Sequence, residues 1–299
     1  MNSENNSNFG YFQAITGGIL WGFSGCCGQY LFQSCGITPE WLLSIRLIST
    51  GIILLFVSLI KNRREIIYIW TEKNNVLRML FFVAFGIIGC QYTYFSAIEA
   101  SNAGLATVLQ YLSPVLILLY LCIKNKKAPS VLQIAALLLA VGGTFLIATG
   151  GNIKSMNITP KALAYGLISA LFLACYSIIP QPLIKKYNTL TVLGWGMLVG
   201  GIIILPVFKP WAFIPDISFG LILAMAGIII FGTVLAYTFY LDSIKRIGAD
   251  KASFLSSIEP VSAVVISAFW LKSGFSLTDI IGTCMILIMV FIISLVGKE

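Results

Sequence analysis

The chain contains no histidine, and only 10% of its 299 residues are charged. The first absence removes the commonest general base and metal ligand. A Ser–His dyad is out of reach, as are the usual zinc and haem ligand sets, so no cofactor and no structural metal are expected. The second absence removes water as the main solvent, because a soluble domain typically carries about 25% charged residues. No CxxC pair occurs among the seven cysteines (Cys26, Cys27, Cys35, Cys90, Cys122, Cys175, Cys284), and an odd one is left over from any pairing. Most fall inside apolar runs, where they read as small packing residues. There is no GxxxxGK[ST] loop to cradle phosphates, no HExxH and no GxSxG; GFSG at 22–25 is one residue short of that last spacing. The first eight residues, MNSENNSN, hold no Lys or Arg, so the apolar run from Tyr11 lacks the basic flank of a cleaved signal peptide and is expected to be a retained span.

What is abundant is hydrocarbon: 58% of the residues are hydrophobic and the mean hydropathy is +0.94. Runs of roughly 20 apolar residues match the thickness of a bilayer core, and the chain reads as an all-α polytopic membrane protein. Ten transmembrane helices are predicted near 11–33, 41–60, 78–98, 103–123, 130–149, 160–180, 190–208, 217–242, 251–271 and 277–297. GITPE at 36–40, SNAG at 101–104, GGN at 150–152 and KPWAFIPD at 209–216 supply turn chemistry between them.

The net charge of +8 is a topology signal, not a nucleic-acid one. With the N-terminus cytoplasmic, that side holds Lys61, Arg63, Arg64, Lys73, Arg78, Lys124, Lys126, Lys127, Lys185, Lys186, Lys245, Arg246, Lys251 and Lys298. The other side holds Lys154, Lys161, Lys209 and Lys272, and Arg46 alone lies within a span. This asymmetry predicts a plasma-membrane protein with both termini inside, N-in and C-in.

Compared with itself, the chain repeats at an offset of 146 residues: Gly86 meets Gly232, Tyr94 meets Tyr240, Ala103 meets Ala249, Leu109 meets Leu255 and Pro114 meets Pro260. Duplicating a unit of five helices, an odd number, forces the copies to insert in opposite directions, so two inverted five-helix repeats are predicted, at 11–150 and 160–297.

Glu259 stands eight residues beyond Lys251, about 12 Å into the membrane at 1.5 Å per residue. A carboxylate near the midplane must face a water-filled cavity, be protonated or pair with a donor. Two readings stand for it: contact with a substrate cation or a coupled proton, and a neutral, hydrogen-bonded packing group. Pro114 and Pro260 are expected to kink their helices and to free the carbonyls of Gln110 and Ser256, either lining a site or only bending the helix to fit. Gln91 with Tyr94, and Tyr237 with Tyr240, make one polar-aromatic face in each half. With Gln110, Tyr111, Trp21, Gln29, Tyr30 and Gln33 they could enclose a small polar solute. Arg46, five residues after Trp41, either snorkels outward or turns inward to meet a carboxylate. Gly18xxxGly22 and Gly196xxxGly200 have close-packing spacing, read as contacts within a monomer or in a weak homodimer.

Gly18, Leu20, Trp21 and Gly22 near the start, Arg46 in the second span, and YxxxLxxIKRIGADKASFLSSIEPV from Tyr237 to Val261 resemble the EamA-type families of the drug/metabolite transporter superfamily. The resemblance spans nearly the whole chain. It implies ten helices in two inverted repeats and a secondary carrier of metabolites or amino acids. Two departures stand out. The Gly-Glu frequent in the family after the fourth and ninth spans is replaced by KNKKAPS (124–130) and LKSGFS (271–276), and the first repeat has Ser113-Pro114 where the second has Glu259-Pro260. The expected function is gradient-driven transport, secondary active or facilitative, of a small polar metabolite, an amino acid or amine, by alternating access within the lipid bilayer. A membrane receptor or scaffold that binds a solute without moving it is the competing reading.

Overall fold

A computed structural model describes residues 2–100, 103–152, 159–271 and 276–296, and among these every regular element is helical. The order is α1 (Asn2–Ser34), α2 (Pro39–Tyr68), α3 (Lys73–Phe81), a π-helical stretch Phe82–Gly89, α4 (Cys90–Ala100), α5 (Ala103–Gln110), α6 (Ser113–Asn125) and α7 (Val131–Thr149) in the first half. The second half has α8 (Pro160–Ile178), α9 (Gln181–Lys186), α10 (Thr189–Phe208), α11 (Phe219–Ala226), a π-helical stretch Gly227–Leu235, α12 (Ala236–Ile247), α13 (Ala249–Ser256), α14 (Glu259–Leu271) and α15 (Leu277–Val296). The turn residues act as helix caps. Thr38 and Thr159 accept from Trp41 N and Ala162 N ahead of Pro39 and Pro160, and Ser130 forms a capping box with Gln133. Gly150 ends α7 in the left-handed conformation, φ 58°.

Among the described residues six stretches are long and apolar enough to cross a bilayer, 39–61, 73–100, 106–125, 160–186, 189–208 and 219–247, and Val131–Ile147 and Ile280–Ile292 are shorter apolar helices. α1 begins at Asn2, nine residues before the expected start at Tyr11. The turn SNAG lies partly, and Lys154, Lys272 and Lys298 wholly, outside the described residues.

The 146-residue offset holds in the backbone. α5 and α13 start at Ala103 and Ala249, α6 and α14 at Ser113 and Glu259, and α7 and α15 at Val131 and Leu277, while the π-helical stretches end at Gly89 and Leu235. The halves interleave. α1 packs on α12, α13 and α14, whereas α8 packs on α4, α5 and α6; α2 pairs with α10, and α7 with α15. Residues expected on the cytoplasmic side gather at one end: Lys61, Lys245 and Arg246 line one cleft there, and Lys186 pairs with Glu72.

Pro114 and Pro260 interrupt their helices instead of kinking them. Each sits second in a new helix, after a two-residue turn at 111–112 or 257–258. Proline lacks the N–H that would continue the ladder and its ring clashes with the preceding turn, so the chain stops and restarts. The glycines of span one make room for this. A Cβ on Gly18 would stand 2.7 Å from Ser256 O, and one on Gly22 would overlap Ser262 Oγ and stand 2.6 Å from Glu259 O. Both glycines therefore seat α1 on the broken helix of its own chain. Gly196 and Gly200 likewise face Phe82, Ile87, Ile88 and Leu47.

Gly22→Ala is expected to destabilise the protein by about 1–3 kcal/mol, because the obstacle is backbone that a rotamer change cannot clear. Gly25→Ala, with nothing within 4 Å of its Cβ, is the control and leaves the melting temperature unchanged or slightly raised. Thermal unfolding in detergent measures both, and equal melting temperatures would mean that α1 does not seat on the broken helix through Gly22.

Candidate functional site

The two helix breaks face a cavity of about 50 Å³ between the halves, lined from both of them. Its polar wall is Arg46 from α2, Gln91 and Tyr94 from α4, Gln110 and Tyr111 at the first break, Tyr237 from α12, and Ser256 and Glu259 at the second. Trp21 of α1 closes one side.

Glu259 is buried, 8% exposed. Tyr111 Oη lies 2.8 Å from its Oε2 and also 2.8 Å from the carbonyl oxygen of Ser256. That carbonyl is the one left without an amide partner by Pro260. A tyrosine from the first half therefore serves both the acid and the broken backbone of the second.

Arg46 is 3% exposed, so its side chain turns inward and does not snorkel, but among the described residues it does not meet a carboxylate. Its Nε donates to Thr233 Oγ1 at 2.7 Å and its Nη2 to Gly232 O at 3.2 Å. Its guanidinium carbon lies 5.3 Å from the Phe95 ring centre and 5.6 Å from that of Tyr237. The partners belong to the π-helical stretch, where Ala236 N–H reaches back five residues to Phe231 O. The loosened ladder presents a carbonyl to a side chain from the other half, a common use of π-helical segments. A guanidinium has five N–H donors, of which these two bonds employ two, and Arg46 also lines the cavity.

Arg46 and Glu259 line one cavity yet are not within 4.0 Å of each other; the ion pairs among the described residues are Lys161–Glu99 and Lys186–Glu72. Opposite charges in a weakly polar enclosure attract strongly, and each is kept in place by neighbours from the opposite half. Two further polar atoms on the wall have no partner among the described residues: the acceptor Gln91 Oε1 and the donor Trp21 Nε1. Buried polar atoms are almost always hydrogen-bonded, so these two residues of the lining carry an unmet acceptor and an unmet donor. Gln91 Nε2, Gln110 Nε2 and the Tyr94 hydroxyl are held by Met197 Sδ, Cys90 Sγ and Thr107 Oγ1.

Of the span and loop residues expected around a solute, Trp21, Arg46, Gln91, Tyr94, Gln110, Tyr111, Tyr237 and Glu259 come together on this wall. Tyr240 does not reach it; fully buried, it sits behind, its hydroxyl 2.8 Å from that of Ser177 and its ring 4.9 Å from Trp21. Tyr30 is turned away, lining an apolar groove with Phe23, Leu223 and Phe231 on the flank of the bundle, and Gln29 pairs with Gln33 on the exposed side of α1. The helical turn carries these residues past the face that Trp21 occupies. Tyr176 was not foreseen. It packs 5.3 Å from Tyr237 and 6.1 Å from Tyr240, and its hydroxyl has no partner among the described residues. It stands at the repeat offset from Tyr30, so the repeat offered the pair without saying which member faces inward.

A family model described as the EamA-like transporter family matches residues 8–149 and again 160–295. The chain belongs to the EamA-like transporter family. It is 37% identical over 290 residues, 97% of its length and 96% of the other's, to an uncharacterized inner membrane transporter, YicL, of Salmonella typhimurium. It is also 24% identical over 223 residues to the threonine/homoserine exporter RhtA of the same species, covering 72% of this chain and 70% of that one. A solved crystal structure shares the fold with a TM-score of 0.78 over 97% of both chains at 17% identity. The protein is thus a multi-pass membrane protein of a transporter family built from two copies of one unit.

Thr233→Val, which keeps the side-chain shape and removes the acceptor of Arg46 Nε, is expected to destabilise by about 1.5–3 kcal/mol, the range for a hydrogen bond to a charged group. Thermal unfolding measures it; an unchanged melting temperature would mean that the guanidinium is held elsewhere.

Proposed function

We propose that this EamA-like protein is a secondary transporter, active or facilitative, of amino acids or similar amine-bearing metabolites, working by alternating access around the cavity between its halves. In this reading the ten spans sit with both termini cytoplasmic in the plasma membrane, and the working unit is a monomer or a weak homodimer. The supporting observation is the placement of Arg46 and Glu259 on one cavity wall without contact between them. A zwitterion answers both groups at once, its carboxylate toward the free part of the guanidinium fork and its ammonium toward the acid. Gln91 Oε1 and Trp21 Nε1 add an acceptor and a donor for a polar side chain. The relative that carries threonine and homoserine fits the same chemistry.

The cavity of about 50 Å³ is well below the roughly 300–1,000 Å³ of small-molecule sites. Substrate entry therefore requires the walls to separate, which is what rocking of one half against the other accomplishes. Transport draws on a gradient of the solute or of protons exchanged at Glu259.

A thermal-shift screen of purified protein against amino acids, amines, nucleosides and vitamins should raise the melting temperature with amino acids, since a ligand of the folded state stabilises it. Counterflow in liposomes should then move the same compound, and Glu259→Gln should slow it about ten- to a hundredfold. An imposed pH gradient should drive flux in the wild type and not in that variant. No exchange across the panel would overturn the transport reading, and near-wild-type flux in Glu259→Gln would make the carboxyl structural.

A further inference from the structure

Tyr111 has one hydroxyl proton and two acceptors, Glu259 Oε2 and Ser256 O, each at 2.8 Å. A phenol donates once, a carbonyl oxygen only accepts, and a carboxyl group donates only when protonated. The arrangement is therefore complete in one protonation state alone: Glu259 donates to Tyr111, and Tyr111 donates to Ser256 O. With the carboxylate ionised, the charge claims the Tyr111 proton, because a charge-assisted bond is the stronger, and the Ser256 carbonyl is left open. That carbonyl has no amide to turn to, since Pro260 follows four residues later, and α1 presses against it through Gly18.

We infer that Tyr111 is a positioning residue that latches the broken helix of the first half to that of the second, and that the latch is closed by a proton on Glu259 and released by its loss. The groups facing Glu259 from the surrounding elements are Arg46 on α2, Cys90 and Tyr94 on α4, Tyr111 itself and Tyr237 on α12. Among them Arg46 carries the one formal charge, and it is tied to Thr233 and Gly232. The latch exists once in the molecule. At the repeat offset Tyr111 is answered by Ser257, whose hydroxyl bonds Ser253 O within its own helix, and Glu259 is answered by Ser113. A pair of otherwise matching breaks thus carries a proton-sensitive tie that has no counterpart at the repeat offset.

The proposal rests on the cavity being the working site but needs no substrate, so it is tested apart from transport. Hydrogen exchange is followed by mass spectrometry on purified protein in lipid nanodiscs across about pH 5 to 9, a span that covers buried carboxyl groups, with intrinsic rates corrected. In the wild type, amides of 253–262 should exchange about five- to tenfold more slowly at the acid end, the effect of one net hydrogen bond. Tyr111→Phe keeps the ring and removes the proton relay, and should exchange fast at both ends. Glu259→Gln supplies a permanent N–H donor to Tyr111 and should exchange slowly at both ends, a result that stands on its own if Tyr111→Phe does not purify. The latch is refuted by a wild type with no pH response, by a Tyr111→Phe variant that keeps that response, or by a Glu259→Gln variant that exchanges fast.

Discussion

Pro114 and Pro260 each remove an amide proton from the backbone of an apolar span, and there is no water in hydrocarbon to replace it. The centre of the protein follows from how those gaps are closed. Each helix stops, turns through two residues and restarts, and a helix from the opposite half lies across each break. α1 does so on the second break, through the bare faces of Gly18 and Gly22; α8 does so on the first, with Gly166 against Leu109. A cavity lies between the breaks, and Gln110, Tyr111, Ser256 and Glu259 at the interrupted backbone border it.

The two halves hold each other's chemistry. Arg46 belongs to the first half but is fixed by Thr233 and Gly232 of the second; Glu259 belongs to the second but is met by Tyr111 of the first. A rearrangement of one half against the other therefore changes the surroundings of both charged groups at once. The scaffold repeats while the chemistry does not: Arg46 is answered at the repeat offset by Val192, Tyr111 by Ser257 and Glu259 by Ser113. Duplication supplies two matching helix breaks, and the private residues make the cavity between them asymmetric.

Much of this was legible in the residues, and the reason differs from case to case. Helical class and membrane setting follow from composition, because hydrocarbon forbids unpaired backbone and leaves the helix as the economical answer. The repeat followed from tyrosine, alanine and proline recurring at one offset, and the same offset then ordered helix starts and π-helical stretches that periodicity alone does not reveal. Tyr30 and Tyr240 lie off the cavity wall for a common cause. Residues three or four apart share a helix face in principle, but which face looks inward is set by neighbours far away in the chain. Arg46 reads equally well as a snorkelling anchor until Gly232, 186 residues on, presents its carbonyl.

The sequence by itself determined that the chain is a set of apolar helices made twice over, with two matched prolines and with one acid and one arginine within its spans. These are properties of local pattern, which physics enforces wherever the segment sits. Only the tertiary structure decided that the prolines break the helices outright, that the acid and the arginine share a wall without touching, and that a single phenol from one half closes the backbone gap in the other. Those are contacts between residues more than a hundred positions apart, and their distances exist only once the halves have packed.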